Sequence, residues 1–464
     1  MEPLEVAIIG GGPGGLMTAY LLEQRLGPDC KITIFEASSR LGGKIVSKPF
    51  ARAAVLHEAG AAELYDYSQT GPDPLRELIE ELGLTTRPLD GPTVILNDRL
   101  LTTDADIGRE CGEATRIALK KFTRRARELI SPADYYESDW REDNADPLTR
   151  QTFEEYLNTV EDPDARRYIE VAVHSDLATE PHHTNASYGL QNYLMNEPDY
   201  MRLYTIEGGI ESLPRELAQR ISAQIMLNHA VTRVERTNDD LYRVHFRHRG
   251  EVKHEDFDFV VVALPNNWIP AIEWGGELSE AMHKHHVHYD YPAHYLRVSI
   301  LFERPFWRDQ IAGSYFMHDA FGGCCIYDET ARNGHLNGCA KYGALGWLLA
   351  GDAATNLANL DDGELIQQVL DSLPRSLWHG REMFVEGRVY RWVGSVNGMP
   401  GGFPMREPDS RHLPEPKKHP WLFVVGDYLF DSTLNGVLDS ADTVVEWIRE
   451  EIEEYQEEYA QKAS

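Results

Sequence analysis

Positive charge is the first thing in short supply. Lys and Arg number 45 against 75 Asp and Glu, a net charge of −30 over 464 residues. A field of that sign repels phosphate backbones and anionic lipid heads, so nucleic acid is not expected as a partner. Cysteine is scarce too. Cys30, Cys111, Cys324, Cys325 and Cys339 are too few and too irregularly spaced for a disulfide framework or a paired-thiolate zinc site, and they suit a reducing cytoplasm. No apolar run approaches the roughly 20 residues of a membrane span. Met1 to Val6 carry acids where a secretory signal has a basic segment. A cytoplasmic protein without a membrane span is the expectation. His283, His285, His286, His288 and His294 crowd one segment, but helical ligand spacing beside a carboxylate is missing. They read as an exposed, partly strand-borne patch, and no metal is expected. Cys324 and Cys325 read as small buried residues, because a bridge between neighbours is strained.

What is present is a chain too long for one core, so two or three domains are expected. Glu5 to Ile9 reads as a buried strand, Gly15 to Leu26 as a helix, and Lys31 to Phe35 as a second β-branched strand. From about Asp90 to Tyr200 the texture turns charged, Arg-rich and helical, the mark of a separate lobe. Strand signals return at Ala223 to Arg236, Tyr242 to Arg247, Phe257 to Leu264 and Tyr295 to Phe302. Helix around Asp362 to Leu373 comes next, then a strand at Trp421 to Val425 and a closing helix from Ser440 to Gln461.

Between the first strand and the first helix stands Gly10-Gly11-Gly12-Pro13-Gly14-Gly15, which contains GxGxxG. Gly10 permits the tight turn, Gly12 lets backbone approach a pyrophosphate, and Gly15 lets helix meet sheet, with phosphates at the helix N-terminus. The second strand ends in Glu36 and Ala37, where a carboxylate accepts from ribose hydroxyls and rejects a 2′-phosphate. FAD and NAD remain. Arg40-Leu41-Gly42-Gly43-Lys44 then adds two cations and a flexible turn beside the same pyrophosphate, an element NAD domains do not usually need.

These residues resemble the flavin-containing amine oxidase superfamily, which includes monoamine and polyamine oxidases, L-amino-acid oxidases, protoporphyrinogen oxidase and the phytoene desaturases. The resemblance covers most of the chain in separated blocks. After the glycine loop come Glu58-Ala59-Gly60-Ala61-Ala62-Glu63, similar to the segment that runs past the isoalloxazine ring, and Gly208-Gly209-Ile210-Glu211-Ser212-Leu213-Pro214. Val231 follows, whose backbone in the family meets the adenine, then Val260 to Pro265. The last block is Phe423 to Asp427 with Asn435-Gly436-Val437-Leu438. The resemblance implies that Gly426 and Asp427 hold the phosphate and ribityl portion of FAD. It also implies that the helix start after Gly436 sets backbone N–H groups near the flavin, which stabilises negative charge on the reduced ring.

At the reacting face the pattern departs from the family. Where amine oxidases place a lysine before a Pro-Phe-Trp run, counting back from Pro305 lands on Arg297. Arginine keeps the charge but cannot shuttle a proton; a structural ion-pair role is the other reading. Trp392, within a stretch running to Pro404 that holds Gly401-Gly402-Phe403, resembles one wall of the family's aromatic cage, and Val437 stands where the second wall should be. Core packing is the bland reading of Trp392 and Phe403. Phe403 occupies the place of the cysteine in covalent-flavin members, so the FAD is expected to be non-covalent. Glu63 stands where amino-acid oxidases carry an arginine for the substrate carboxylate. A carboxylate there favours a cationic amine, unless it only bonds backbone or ribityl groups.

The expected fold is α/β: a doubly wound FAD-binding domain from residues 1–90, 202–275 and 385–464, with an α+β substrate domain from 91–201 and 276–384. The expected function is FAD-dependent oxidation of an amine C–N bond by hydride transfer to flavin N5. The alternative is a C–C desaturase or redox-neutral isomerase acting on an apolar substrate.

Overall fold

The structure, a computed structural model, describes residues 3–69, 71–132, 134, 147–197, 200–332, 341–400, 408–430 and 432–463. The chain forms two compact units, Met1–Ile45 with Glu211–Asp290 and Arg406–Ser464, and Val46–Ile210 with Tyr291–Met405.

The first unit is built on a parallel sheet in the order Gln224–Leu227, Cys30–Glu36, Leu4–Ile9, Phe259–Val262 and Leu422–Val424. Its central strands are short apolar runs buried along nearly their whole length, as a parallel sheet covered on both faces requires. The helices Pro13–Leu26 and Leu434–Ala463 pack together, the former burying Leu16, Ala19, Tyr20 and Leu22. A second, four-stranded sheet runs Glu251–Phe257, Tyr242–His248, Ala230–Arg236 and Glu273–Trp274. The strand signals from Ala223 to Arg236 resolve into two strands in two sheets. They separate at Asn228, whose φ of 59° belongs to the left-handed region that Asn tolerates. The expected histidine patch holds in part, with His283 exposed and His294 on the strand Pro292–Phe302. His283 to His288 lie on the helix Leu278–His288, and His285 is buried with Nε2 3.2 Å from the Tyr428 hydroxyl.

The second unit is organised by a seven-stranded sheet in the order Phe384–Asn397, Pro292–Phe302, Gly343–Ala350, Cys324–Asp328, Tyr315–His318, Val94–Leu96 and Arg99–Leu101. Registers such as Arg297 opposite Leu348 and Leu348 opposite Cys325 fix which side chains share a face. One face carries Leu296, Val298, Ile300, Trp347, Leu349, Cys324 and Ile326, a wholly apolar core that also includes Leu365 and Val369 of the helix Asp362–Asp371. The opposite face carries Trp392, Tyr295, Arg297, Cys325, Tyr327, Tyr315 and Met317, and helix Pro163–Leu177 packs on it. Strands at Val94–Leu101, Tyr315–His318, Cys324–Asp328 and Gly343–Ala350 were not legible as strands. Short buried runs lack the alternation that marks a half-exposed strand. Doubly wound parallel sheet and mixed α+β layers together give the α/β architecture. Among the described residues no helix is long and apolar enough to cross a membrane.

Candidate active site

All five parallel strands of the first unit end at one edge, the place where such sheets bind ligands. Gly10 leaves the first strand at φ 113°, and a Cβ on it would fall 2.4 Å from the Ala263 carbonyl oxygen. A Cβ on Gly15 would fall 2.0 Å from the Gly10 oxygen, so only glycine allows this turn to close. Helix Pro13–Leu26 begins with Pro13 after Gly12, with no side-chain cap and no acid in its first turn, which leaves its amide donors to an anion. Gly14 lies against Val425 and Val437, and Gly43 backs onto Gly12. Glu36 is fixed at the end of its strand, its carboxylate accepting from Gly11 N–H at 2.9 Å and Ser38 N–H at 2.8 Å, with Ala37 between. Arg40 binds the Leu41 and Gly43 carbonyls, and Lys44 Nζ pairs with Asp427 Oδ2 at 3.1 Å. Gly426 N–H donates to Ser440 Oγ at 3.1 Å. Gly436, Val437 and Leu438 lie in the opening turns of helix Leu434–Ala463, with Gly436 N–H held by Thr433 Oγ1 at 3.2 Å. Val231 borders a bulge in its strand. A glycine-only turn, an open helix start and a placed carboxylate on one edge fit a dinucleotide, so these residues suit FAD.

In the second unit, Arg297 has no accessible surface. Its Nε donates to the Glu58 carbonyl, and its Nη2 lies 2.6 Å from Glu329 Oε1. Of the two roles left open by the sequence, this geometry is that of an ion-pair partner. Nη1 finds no acceptor among the described residues. The Arg297 and Arg332 guanidiniums each lie 5.0 Å from the centroid of the Tyr327 ring. The Tyr327 hydroxyl donates to Glu63 Oε2 at 2.9 Å. The Glu58 carboxyl accepts from Ile210 N–H at 3.0 Å and Ser47 Oγ at 2.6 Å, which ties two of the sequence blocks together. Trp392 Nε1 donates to the Ala59 carbonyl at 2.7 Å, fixing the indole beside the start of Gly60-Ala61-Ala62. Burial pushes the carboxyls of Glu58 and Glu63 above their ordinary range. Burial also pushes His57, whose Nε2 is 2.9 Å from the Tyr390 hydroxyl, down to about 4.

Glu63, Arg297 and Trp392 thus belong to one sheet face and the segment bound to it, while Phe403 and its neighbours Gly401, Gly402 and Pro404 lie outside the described residues. Sequence reasoning missed Asp176, Tyr327, Glu329 and Arg332. Two signs were available: Asp328, Glu329 and Arg332 closing the apolar run that begins at Cys324, and one acid in the buried stretch Val171 to Leu177. Cys324 and Cys325 are buried and face opposite sides of their strand. Among the described residues no group of three or more His, Cys, Asp or Glu is placed to hold a metal ion.

The family described as flavin containing amine oxidoreductase matches residues 13–448. The putrescine oxidase of Kocuria rosea is 26% identical over 398 residues, which is 80% of this chain and 78% of that enzyme. Among solved structures, a wild-type putrescine oxidase bound to putrescine superposes with a TM-score of 0.77 at 21% identity, over 96% of this chain and 99% of the other. Cyclohexylamine oxidase from Brevibacterium oxydans gives 0.72 at 18% identity, over 97% and 100%. These two likenesses establish a shared fold. With the family match running over nearly its whole length, this chain belongs to the flavin-containing amine oxidoreductases and is an FAD-dependent oxidoreductase.

Proposed function

We propose that the protein oxidises an amine at its C–N bond, with residues 1–90, 202–275 and 385–464 as the FAD-binding domain and 91–201 and 276–384 as the substrate domain. The observation that carries the reading is Glu63, a buried-site carboxyl held by Tyr327 on the same sheet face as Arg297 and Trp392. Such a group favours a substrate bearing an ammonium and repels one bearing a carboxylate. The two relatives of shared fold that are named for amines, putrescine oxidase and cyclohexylamine oxidase, point the same way.

FAD, when bound, accepts the hydride that leaves the carbon bearing the nitrogen. For that C–H bond to break with its electron pair, the nitrogen lone pair must be free to form the C=N bond, so the ammonium first gives up a proton. A desolvated site favours the neutral amine, and in this reading Glu63 accepts a hydrogen bond from it. Trp392 supplies a wall whose orientation is locked by its bond to Ala59. Arg297 cannot take up the proton at accessible pH. It acts as a positioning residue, holding the Glu58 carbonyl and so the Ala59-Gly60-Ala61 segment. The imine then hydrolyses to aldehyde and ammonia. The FAD is held without a covalent bond, since Phe403 offers no thiol at the position where covalent members of the resembling family carry one. The described cysteines Cys30, Cys111, Cys324 and Cys325 are free, in keeping with a cytoplasmic setting.

The desaturase or isomerase alternative needs an apolar lining, and the buried carboxyls of Glu58 and Glu63 weigh against it. Incubation of the holoenzyme with primary amines in air, or with a quinone acceptor, is expected to yield aldehyde and ammonia in equal amounts. Conversion of an unsaturated hydrocarbon with every amine left intact would replace this reading by the alternative.

A further inference from the structure

His283, His285, His286 and His288 share the helix Leu278–His288 of the first unit. Its buried face is Leu278, Ala281, Met282 and His285, so a histidine stands where the helical period calls for an apolar side chain. A fully buried imidazole costs free energy unless its nitrogens are bonded. His285 Nε2 lies 3.2 Å from the Tyr428 hydroxyl, and the Tyr289 ring packs 5.0 Å from His285 and 5.3 Å from Tyr428. The next residue fastens the same helix end. His286 Nδ1 donates to the Asn266 carbonyl at 3.1 Å, and Asn266 Nδ2 donates back to the His286 carbonyl at 3.0 Å. Asn266 lies just beyond the strand Phe259–Val262, which pairs with Leu422–Val424, the strand that leads to Tyr428.

Tyr428 supports the turn before it. A Cβ on Gly426 would fall 2.6 Å from the Tyr428 ring, so the Gly426 backbone rests directly on that ring. Tyr428 N–H donates to Asp427 Oδ1 at 3.0 Å, while Lys44 Nζ holds Asp427 Oδ2 at 3.1 Å. Gly426 N–H reaches Ser440 Oγ at 3.1 Å. The Gly426-Asp427 turn is thus held from three sides: by Lys44, by the helix Leu434–Ala463 through Ser440, and by the helix Leu278–His288 through Tyr428. The third support comes from a helix that carries no dinucleotide motif, and its one polar contact with the turn's floor is the His285 bond.

We infer that His285 is a positioning residue for FAD. It fixes the Tyr428 ring, and through that ring the Gly426-Asp427 turn, without touching the cofactor itself. The inference rests on the resemblance that puts the phosphate and ribityl portion of FAD on Gly426 and Asp427, and it adds what keeps them in place. A turn already set binds the cofactor without paying to be ordered first, so the contribution of His285 falls on FAD affinity.

The test titrates full-length apoprotein with FAD for the wild type, His285→Leu, His285→Gln, Tyr428→Phe and the His285→Leu/Tyr428→Phe double variant, and records each apoprotein's thermal midpoint. His285→Leu and Tyr428→Phe should each weaken FAD by about 3- to 10-fold, the factor for one neutral hydrogen bond. The double variant should bind no more weakly than His285→Leu alone, because both remove the same bond. His285→Gln, which can still bond the hydroxyl, should recover part of the loss. In an Asp427→Asn background, where the carboxylate being positioned is gone, His285→Leu should change the affinity by less than about twofold. A lowered thermal midpoint with FAD affinity unchanged would make His285 a packing residue and overturn the inference, as would an equal loss in both Asp427 backgrounds. Should His285→Leu fail to fold, Tyr428→Phe, which leaves the ring under Gly426, carries the same prediction. Asp427→Asn that binds FAD as tightly as the wild type overturns instead the placement of the cofactor on Asp427.

Discussion

At the edge of the five-stranded sheet the first unit shapes its site with backbone: Gly10, Gly12 and Gly15 turn the chain, and an amide-lined helix start faces outward. On the seven-stranded sheet the second unit shapes its site with side chains. Trp392, Tyr295, Arg297, Cys325 and Tyr327 come from three non-consecutive strands and meet only because the registers put them on one face. The first kind of site tolerates almost no change at a few positions and is indifferent elsewhere. The second spreads its demands over many groups, so single changes shift specificity before they abolish function.

The sharpest way to break that contrast is Gly15→Ala. Its methyl would sit 2.0 Å from the Gly10 oxygen, so the purified variant is expected to retain no FAD, read from flavin absorbance per chain. Full retention would show that the turn has more room than the backbone allows. Next in size is Arg297→Ala. It removes the 2.6 Å partner of Glu329 and leaves that carboxylate to Arg332 at 3.9 Å, and stability should fall by up to about 3–5 kcal/mol, the usual cost of breaking a buried pair from one side. Arg297→Lys, which keeps the charge, should lose less, as followed by denaturant unfolding. Glu36→Ala is expected to weaken FAD by about 10- to 150-fold, since a carboxylate accepting neutral hydroxyls adds roughly 1.5–3 kcal/mol, measured by titrating apoprotein with FAD.

The smallest effect is a pH dependence in the second unit. A carboxyl whose pKa is raised on folding binds more protons folded than unfolded, so stability falls as pH rises from the unfolded value through the folded one. Burial and Glu63 raise Asp176 in this way. Asp176→Asn removes that penalty, and its thermal midpoint should lie above the wild type near neutral pH and converge with it in acid. A gap that widens in acid would reverse the sign.

The same contrast explains what the sequence made legible. Gly10 to Gly15, Glu36 and Arg40 to Lys44 are contiguous, and their spacing carries the geometry, so both the dinucleotide edge and the α/β architecture could be anticipated. Arg297 and Trp392 were located by their distance from landmarks. Their partners Glu329 and Ala59 lie far away along the chain, and only strand register joins them. Asp176 is the clearest omission. One acid in a helix looks like any surface charge until the helix is seen to bury the residues around it. The split of Ala223 to Arg236 was hidden for a different reason, because a single left-handed Asn228 leaves the apolar texture unbroken.

Anaerobic stopped-flow mixing of the holoenzyme with an amine dideuterated at its reacting carbon follows C–H cleavage most directly. The flavin is expected to bleach, more slowly than with the protiated amine and faster as pH rises toward the pKa of the amine itself. A flavin that stays oxidised with every amine, or one that bleaches at a rate indifferent to deuterium and pH, would contradict hydride transfer from a neutral amine.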